Sequence, residues 1–163
     1  MHGLHGLHAR GGARVLALLV LVLATQAHAR TCAVSAGAWS TCDDDPGDVA
    51  VASLAFTPQP APCGARLDVR VAGRAPAPLE HGTVRMRVMM GPFTAREASV
   101  DLCAALRAGG APCPLPAGDF AYTIGADLPT AAAMPAGRYR VEYRAQDAHG
   151  QTRLCLQFPL TVS

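Results

Sequence analysis

The 163-residue chain contains no lysine and no asparagine, so all 14 of its basic residues are arginine. Without asparagine it has no acceptor for N-linked glycosylation. Histidine is scarce beyond the first 29 residues, where only His81 and His149 remain, and this excludes a histidine-rich zinc site. The chain lacks these residue types but is rich in alanine, glycine, arginine and proline. A biased base composition of the coding sequence explains this pattern better than selection for nucleic-acid binding does. We therefore predict no nucleic-acid partner.

Sequence motifs of catalysis are also missing. The chain has no G-x-S-x-G, no glycine-rich phosphate loop and no C-x-x-C, which argues against common hydrolase, nucleotide-binding and redox chemistry. Glu80-His81 is better explained as the solvated start of a strand than as an acid–base pair. The acidic cluster Asp43–Asp48 contains Pro46-Gly47 and lacks the closing glutamate of a calcium loop, so we expect a solvated turn. We predict no enzyme activity, no metal and no cofactor.

The first 29 residues have the pattern of a secretory signal. Arg10 and Arg14 precede an apolar run, Val15–Ala24, which is followed by the small-x-small site Ala27-His28-Ala29. A membrane-spanning helix needs about 20 apolar residues, roughly twice this run. We predict a signal peptide over residues 1–29 and one domain over residues 30–163. That domain carries 12 arginines against 12 acidic residues and therefore has no net charge.

All six cysteines lie within the predicted mature chain, at Cys32, Cys42, Cys63, Cys103, Cys113 and Cys155. An even number of cysteines behind a signal peptide is typical of disulfides formed in an oxidising compartment. We therefore expect three disulfides. Six cysteines allow 15 pairings, and the residues alone do not choose among them.

Apolar residues alternate with polar ones along most of the chain, which predicts strands with one buried face. The segment from Val49 to Phe56 changes phase near Ser53, as at a β-bulge. Pro- and Gly-rich segments separate the strands, and only Ser99–Leu106 has a helical pattern. These features predict an antiparallel β-sandwich. The other alternating series are Leu67/Val69/Val71, Val84/Met86/Val88, Phe120/Tyr122/Ile124, Tyr139/Val141/Tyr143/Ala145 and Leu154/Leu156/Phe158/Leu160/Val162.

The last third of the chain carries a more specific pattern: Asp101-Leu102-Cys103, then Cys113-Pro114-Leu115 and Gly118, an aromatic strand, Met134–Tyr139, and a long hairpin that contains Cys155. In order and spacing this segment resembles the ML lipid-recognition family. The earlier half agrees more loosely, at Trp39–Cys42, Phe56–Pro58 and Met90-Gly91. The resemblance implies an immunoglobulin-like antiparallel β-sandwich of about seven strands with a lipid cavity between its sheets.

The resemblance also implies which residues would be paired or bind ligand. It pairs Cys42 with Cys155 and Cys103 with Cys113, which leaves Cys32 with Cys63. A filled core would have the same apolar inner faces as a cavity, so periodicity alone does not separate the two. The residues expected to face the lipid are Leu67, Val69, Val84, Met86, Val88, Phe93, Tyr122, Ile124, Met134, Tyr139, Val141, Tyr143, Leu156 and Phe158, with Met134 near the mouth.

The implied function is a monomeric carrier, secreted or in the lumen of a vacuole or lysosome, that contacts membranes transiently and moves a sterol or a phospholipid. The lipid class stays open. Met134 stands where the sterol carriers of the family have an aromatic residue before the proline, and the D-L-C and C-P-L patterns also resemble the phospholipid-transfer branch. Two rivals are a lipid-free adhesion or receptor-binding sandwich, because such folds share architecture without sharing sites, and an activator that presents lipid to another protein.

Overall fold

The computed structural model describes residues 32–163 of the chain. The predicted signal peptide, residues 1–29, lies outside the described residues. Within the described part, no helix is long and apolar enough to cross a membrane.

The described chain consists of ten strands and one short helix. Seven strands are eight or more residues long, and the other three have two to four residues. Every strand pairing is antiparallel. The elements are β1 Ala33–Ala36, β2 Ser40–Thr41, β3 Ala50–Thr57, β4 Ala61–Pro62, β5 Arg66–Ala75, β6 Gly82–Met90, β7 Phe93–Asp101, α1 Leu102–Ala108, β8 Gly118–Asp127, β9 Gly137–Asp147 and β10 Thr152–Val162.

The strands form two sheets. Sheet I has the order β4-β1-β10-β9-β6-β7, with β2 added beside β10, and sheet II has the order β3-β5-β8. Alternating apolar residues form these strands because one face of each packs inward while the other meets water. The predicted antiparallel immunoglobulin-like sandwich is confirmed.

The segment between β6 and β8 differs from its prediction. Residues Ser99–Asp101, expected to start a helix, are the end of β7, and the helix covers Leu102–Ala108. Asp101 ends the strand in an extended conformation, and its Oδ1 accepts a 2.8 Å hydrogen bond from the Ala104 amide. This N-cap fixes the start of the helix. Strand β7 was not predicted because its sequence, FTAREASVD, has little apolar alternation.

The predicted bulge in the first long strand is confirmed. The register between β3 and β5 shifts between Val51 and Ser53. Beyond the bulge, Leu54 pairs with Val71 and Phe56 pairs with Val69. The extra residue therefore puts Leu54 and Phe56 on the same face as the apolar residues of β5.

The buried apolar residues form two clusters at different places in the sandwich. The helix-end cluster contains residues of α1, β5, β9 and the segments between strands. The terminal-strand cluster contains residues of β1, β9 and β10. Leu67 and Val71 of β5 are buried but belong to neither cluster. The helix-end cluster consists of Val49, Ala75, Leu79, Leu102, Leu106, Ala111, Leu115 and Ala145, and the terminal-strand cluster of Val34, Tyr139, Val141, Phe158, Leu160 and Val162.

Three disulfides join the same pairs that the family resemblance implies. Cys42 is bonded to Cys155, Cys103 to Cys113, and Cys32 to Cys63, with Cα–Cα distances of 5.4, 5.3 and 5.4 Å. The Cys42–Cys155 bridge spans 113 residues and ties the segment after β2 to the first half of β10. It therefore anchors the start of the described chain to its last strand.

The acidic cluster after Cys42 is exposed, as expected of a turn, but two of its side chains are held by arginines. Asp44 accepts two hydrogen bonds from Arg144, at 3.1 and 3.0 Å, and Asp48 accepts two from Arg153, at 2.8 and 3.0 Å. The hydrogen bond from Arg144 lowers the pKa of Asp44 below its ordinary value. Burial lowers the pKa of Arg144, but its bonds with Asp44 and the charge of Glu142 outweigh this and raise the pKa overall.

Candidate functional site

Eight of the fourteen residues expected to face a lipid lie on one face of sheet I. Partners in antiparallel register share a face, and Tyr143 of β9 is paired with Met86 on one side and Leu156 on the other. Val141 is paired with Val88 and Phe158 in the same way. The full set on this inner face is Val84, Met86 and Val88 of β6, Tyr139, Val141 and Tyr143 of β9, and Leu156 and Phe158 of β10.

Four more lie together on sheet II. Val69 of β5 is paired with Ile124 of β8, and Tyr122 is paired with Val71. Leu67 shares this face because side chains two residues apart on a strand point the same way. The Phe56 ring of β3, on this face, lies 4.8 Å from the Phe158 ring of β10, centroid to centroid. This contact shows that the two apolar faces are turned toward each other.

The inner faces are not equally covered. On β9 and β10 the side chains of Tyr139, Val141, Leu156 and Phe158 are buried. On β6, by contrast, Val84, Met86 and Val88 all keep partial exposure, although β6 has neighbours on both sides in sheet I.

Partly exposed inner-face residues lie on interior strands of both sheets. Val69 is partly exposed on the inner face of β5, the central strand of that sheet, between Phe56 and Ile124. Tyr143 is partly exposed on β9, which also has a neighbour on each side. Side chains on the inner face of an interior strand reach solvent only where the opposite sheet does not cover them.

Phe93 lies on the inner-face side of sheet I, because its partner Met90 follows Val88 by two residues on β6, but it is not enclosed between the sheets. Its contact with lipid stays a prediction. Its side chain is 73% exposed, and its partner Met90 is 42% exposed. The two residues face each other at the tip of the β6–β7 hairpin, where Gly91 takes a positive φ of 57° and Pro92 completes the turn. Because the tip extends beyond the covered part of the sheet, the sequence pattern "MMGPF" produces an exposed apolar tip.

Met134 lies at the same end of the sandwich as this tip. It is partly exposed and packs against the terminal-strand cluster. A side chain added at Gly137, which follows the Met134 loop, would lie 3.8 Å from the Met90 sulfur. The Tyr139 hydroxyl donates a 2.7 Å hydrogen bond to the Pro135 carbonyl and so fixes the loop to β9. We call this end, with Met90, Phe93 and Met134, the tip end, and the opposite one, with α1, the helix end.

Arg96 is an unexpected charge on the inner side. Arg96 of β7 is paired with Val88 of β6, in the regular part of this pairing that ends before the register shift. Strand β7 is the edge strand of sheet I. Arg96 therefore shares the face of Val88 rather than the outer face, where Arg85 and Arg87 lie near Glu97. Within residues 32–163, no carboxylate lies within ion-pair distance of Arg96.

Sequence reasoning missed several apolar residues of the same interior. Leu54 and Phe56 of β3 pack against the terminal-strand cluster, and so do Trp39 and Leu128, which lie outside the strands. The phase change at Ser53 was the available signal for Leu54 and Phe56, because it puts both on the face of Val71 and Val69. Trp39 and Leu128 carry no periodic signal because each is a single apolar residue in a connecting segment.

A concavity on the outside of the molecule is polar. It is formed by Asp45–Asp48 and residues 150–153. Its arginine, Arg153, is already bonded to Asp48 and lies 4.0 Å from Asp147. Among the described residues, no group of three or more His, Cys, Asp or Glu side chains could hold a metal ion. The apolar inner faces are therefore the better candidate for a binding site.

Comparison with known proteins agrees with this architecture. The model of a family described as the ML domain matches residues 36–162. The chain belongs to the ML domain family. The resemblance noted from the cysteines and the final hairpin is thereby confirmed. Over 117 residues this ML domain is 32% identical to the phosphatidylglycerol/phosphatidylinositol transfer protein of Emericella nidulans, a match that covers 71% of this chain and 68% of that protein.

Two solved structures share the fold. A Niemann-Pick type C2 protein from the Japanese carpenter ant has a TM-score of 0.60 and 11% identity, with 76% of this chain and 97% of that chain covered. Chicken MD-1, solved in complex with lipid IVa, has a TM-score of 0.56 and 15% identity, with 78% and 96% covered. At these identities the likeness concerns the fold alone.

Proposed function

We propose that this ML domain binds a lipid between its two sheets and transfers it between membranes. The observation that carries the proposal is the partial exposure of apolar inner-face residues on interior strands: Met86 and Val88 in sheet I, and Val69 in sheet II. A close-packed sandwich covers such positions from the opposite sheet, because protein interiors are packed as densely as organic crystals.

An apolar space between the sheets would be costly if it stayed empty or filled with water. Apolar surface gains roughly 25 cal/mol per Å² when it leaves water, and a lipid tail supplies that burial. The relatives support this interpretation, since one is named for transfer of phosphatidylglycerol and phosphatidylinositol and another was solved with lipid IVa. Binding and release of a lipid need no covalent chemistry, so the function requires no catalytic group.

The tip end is the proposed point of membrane contact and lipid entry. Met90 and Phe93 form an exposed apolar tip there, beside the Met134 loop. Apolar side chains at such a tip can enter the interface of a bilayer, and an arginine nearby attracts anionic headgroups. Arg96, three residues from Phe93 and on the side of Val88, is placed for such an interaction. Contact of this kind is transient and leaves the protein a soluble monomer.

The three disulfides and the predicted signal peptide support a secreted protein or one in the lumen of a vacuole or lysosome. The ligand class remains a sterol or a phospholipid.

Extraction of lipid from the purified secreted protein tests the proposal. Lipid is taken into organic solvent and identified by mass spectrometry, and the delipidated protein is then offered a fluorescent sterol and a fluorescent phosphatidylglycerol. We expect about one lipid per chain and saturable uptake of one of the two probes. A protein that carries no lipid and takes up neither probe contradicts the proposal and favours a lipid-free adhesion or receptor-binding sandwich.

A further inference from the structure

The three tyrosines of the domain all lie on inner faces, but their hydroxyl groups differ. Tyr139, on β9 at the tip end, donates a hydrogen bond to the Pro135 carbonyl. Tyr143, also on β9, and Tyr122, on β8 in the opposite sheet, have no hydrogen-bond partner for their hydroxyls among residues 32–163.

Neither hydroxyl is sealed inside the protein. In the described part of the chain, no fully buried side-chain oxygen or nitrogen lacks a hydrogen-bond partner. The unpaired hydroxyls of Tyr122 and Tyr143 therefore reach accessible space. Because Tyr143 lies between Met86 and Leu156 on an interior strand, the space that it reaches is on the inner side of sheet I. Burial nonetheless raises the pKa of both tyrosines above the ordinary value.

Both tyrosines lie away from the tip end. Tyr143 is four residues beyond Tyr139 along β9, which corresponds to about 13 Å of strand. The next inner residue of β9, Ala145, belongs to the helix-end cluster, and Tyr122 packs against the same cluster. A side chain added at Gly109, just after α1, would lie 3.2 Å from the Tyr122 ring. The two hydroxyls thus lie in the part of the interior that is nearer to the helix end.

We propose that the hydroxyls of Tyr143 and Tyr122 form a polar subsite that binds an oxygen atom of the lipid deep between the sheets. This inference rests on the proposed function and deepens it. A lipid that fills this space takes water away from the two hydroxyls, which is unfavourable unless a hydrogen-bond partner replaces the water. A ligand oxygen supplies that partner. The ligand chemistry is a hydroxyl or carbonyl oxygen on an apolar body, as in a sterol alcohol or the ester groups of a diacyl lipid.

The remaining surroundings of the two tyrosines are apolar. The Tyr122 ring stacks on Phe120, with centroids 5.6 Å apart, and Tyr122 is paired with Val71. Tyr143 packs against the terminal-strand cluster. Because these neighbours are apolar, the hydroxyls discriminate between lipids with and without a matching oxygen. A lipid that lacks the oxygen leaves a hydroxyl unpaired, and this disfavours its binding.

Two pairs of lipids, which differ only in a hydroxyl oxygen or only in the ester carbonyl oxygens, test the inference. Delipidated parent, Tyr143→Phe and Tyr122→Phe proteins are titrated with cholesterol against its 3-deoxy analogue, and with diacyl phosphatidylglycerol against the dialkyl ether form. We expect the parent to prefer the oxygen-bearing lipid of at least one pair by about 3- to 10-fold, and expect Tyr143→Phe to reduce that preference to near one. The pair that responds shows whether the oxygen is a hydroxyl or an ester carbonyl.

Tyr139→Phe is the matched control, because it removes a hydroxyl that already has a protein partner. It should lower the thermal stability of the lipid-free protein, because a hydrogen bond within the protein is lost. Tyr143→Phe should leave the stability of the lipid-free protein unchanged, since no protein hydrogen bond is lost. If the parent takes up lipid without a preference in either pair, or if Tyr143→Phe and Tyr122→Phe both keep the parent's preference, the polar subsite is overturned while lipid binding stands. If the parent takes up no lipid, both proposals fail.

Discussion

Strands β6 and β10 flank the same strand, β9, yet their inner faces are packed differently. Leu156, Phe158, Leu160 and Val162 of β10 are all buried, whereas Val84, Met86 and Val88 of β6 are all partly exposed. Both strands alternate apolar and polar residues, so the difference comes from what lies opposite.

The opposite surface explains the contrast. Phe158 of β10 meets Phe56 of β3 at 4.8 Å, and β1 and β2 pair along β10. On β6, Val84 packs against the helix-end cluster, and Met86 and Val88 pack against the terminal-strand cluster, but all three side chains stay partly exposed. One side of the sandwich is therefore a packed core, and the other has the incomplete cover expected of a binding site. Four predictions test this division.

Loss of a disulfide should have the largest effect, and the size should follow the length of chain that each bridge closes. For separations of 113, 31 and 10 residues, the chain-entropy relation gives about 5, 4 and 3 kcal/mol. The Cys42→Ser/Cys155→Ser double variant should therefore be secreted least and unfold most easily, since it also removes the covalent link between β10 and the segment after β2. The other two bridges, removed as pairs in the same way, are the controls. Equal stability of all three double variants would contradict this order.

Truncation of inner-face side chains on β10 and β6 should separate the packed side of the sandwich from the loosely covered one. Leu160→Ala on β10 removes a side chain from the terminal-strand cluster and should cost about 2 to 5 kcal/mol of unfolding free energy. Met86→Ala on β6 removes a partly exposed side chain and should cost the lipid-free protein less than half as much. Denaturant unfolding of both delipidated variants measures the two values. Similar costs would mean that β6 is packed as tightly as β10.

Enlargement of a side chain tests the same division in the opposite sense. Val141→Phe on β9 adds volume to a buried site and should cost about 1 to 3 kcal/mol. Val88→Phe on β6 should cost the lipid-free protein little, yet reduce lipid uptake, because the ring occupies space that the lipid needs. Thermal unfolding and fluorescent lipid uptake are measured on both variants. A Val88→Phe protein that takes up lipid as the parent does would place the ligand elsewhere.

The smallest effect should come from the exposed ion pair of Asp44 and Arg144. Since the bond from Arg144 lowers the pKa of Asp44 in the folded state, its stabilisation is present above the ordinary pKa of 3.8 and is lost as the pH falls through the lowered value. The difference in melting temperature between the parent and Asp44→Asn should therefore stay constant from about pH 5 to 7 and shrink in stronger acid. Asp43→Asn is the neighbouring control. A difference that grows in acid would contradict the assignment.

The sequence predicted which residues face inward far better than how well they are covered. Alternation along β6, β9 and β10 correctly placed all eight of the expected residues on one face, because side chains of a strand point alternately to its two sides. It did not predict the exposure of Phe93, where a hairpin tip ends the sheet, and it missed β7, whose residues are mainly small and polar.

Other features depend on contacts that local patterns do not encode. The bonds between Asp44 and Arg144 and between Asp48 and Arg153 join residues 100 and 105 positions apart. The position of Arg96 on the face of Val88 depends on pairing between two strands. Likewise, the free hydroxyl of Tyr143 and the bonded one of Tyr139 are four residues apart on one strand and differ only in their spatial neighbours.

Mapping where a bound lipid touches the protein tests the central claim most directly. A photoreactive sterol and a photoreactive phosphatidylglycerol are each bound to the delipidated protein and activated, and the modified residues are identified by peptide mass spectrometry. A lipid between the sheets should label the inner faces of β5, β6 and β8, at Val69, Met86, Val88 and Ile124, and leave the outer-face arginines Arg85 and Arg87 unlabelled. Adducts confined to outer-face residues or to the polar groove at Asp45–Asp48 would contradict the claim.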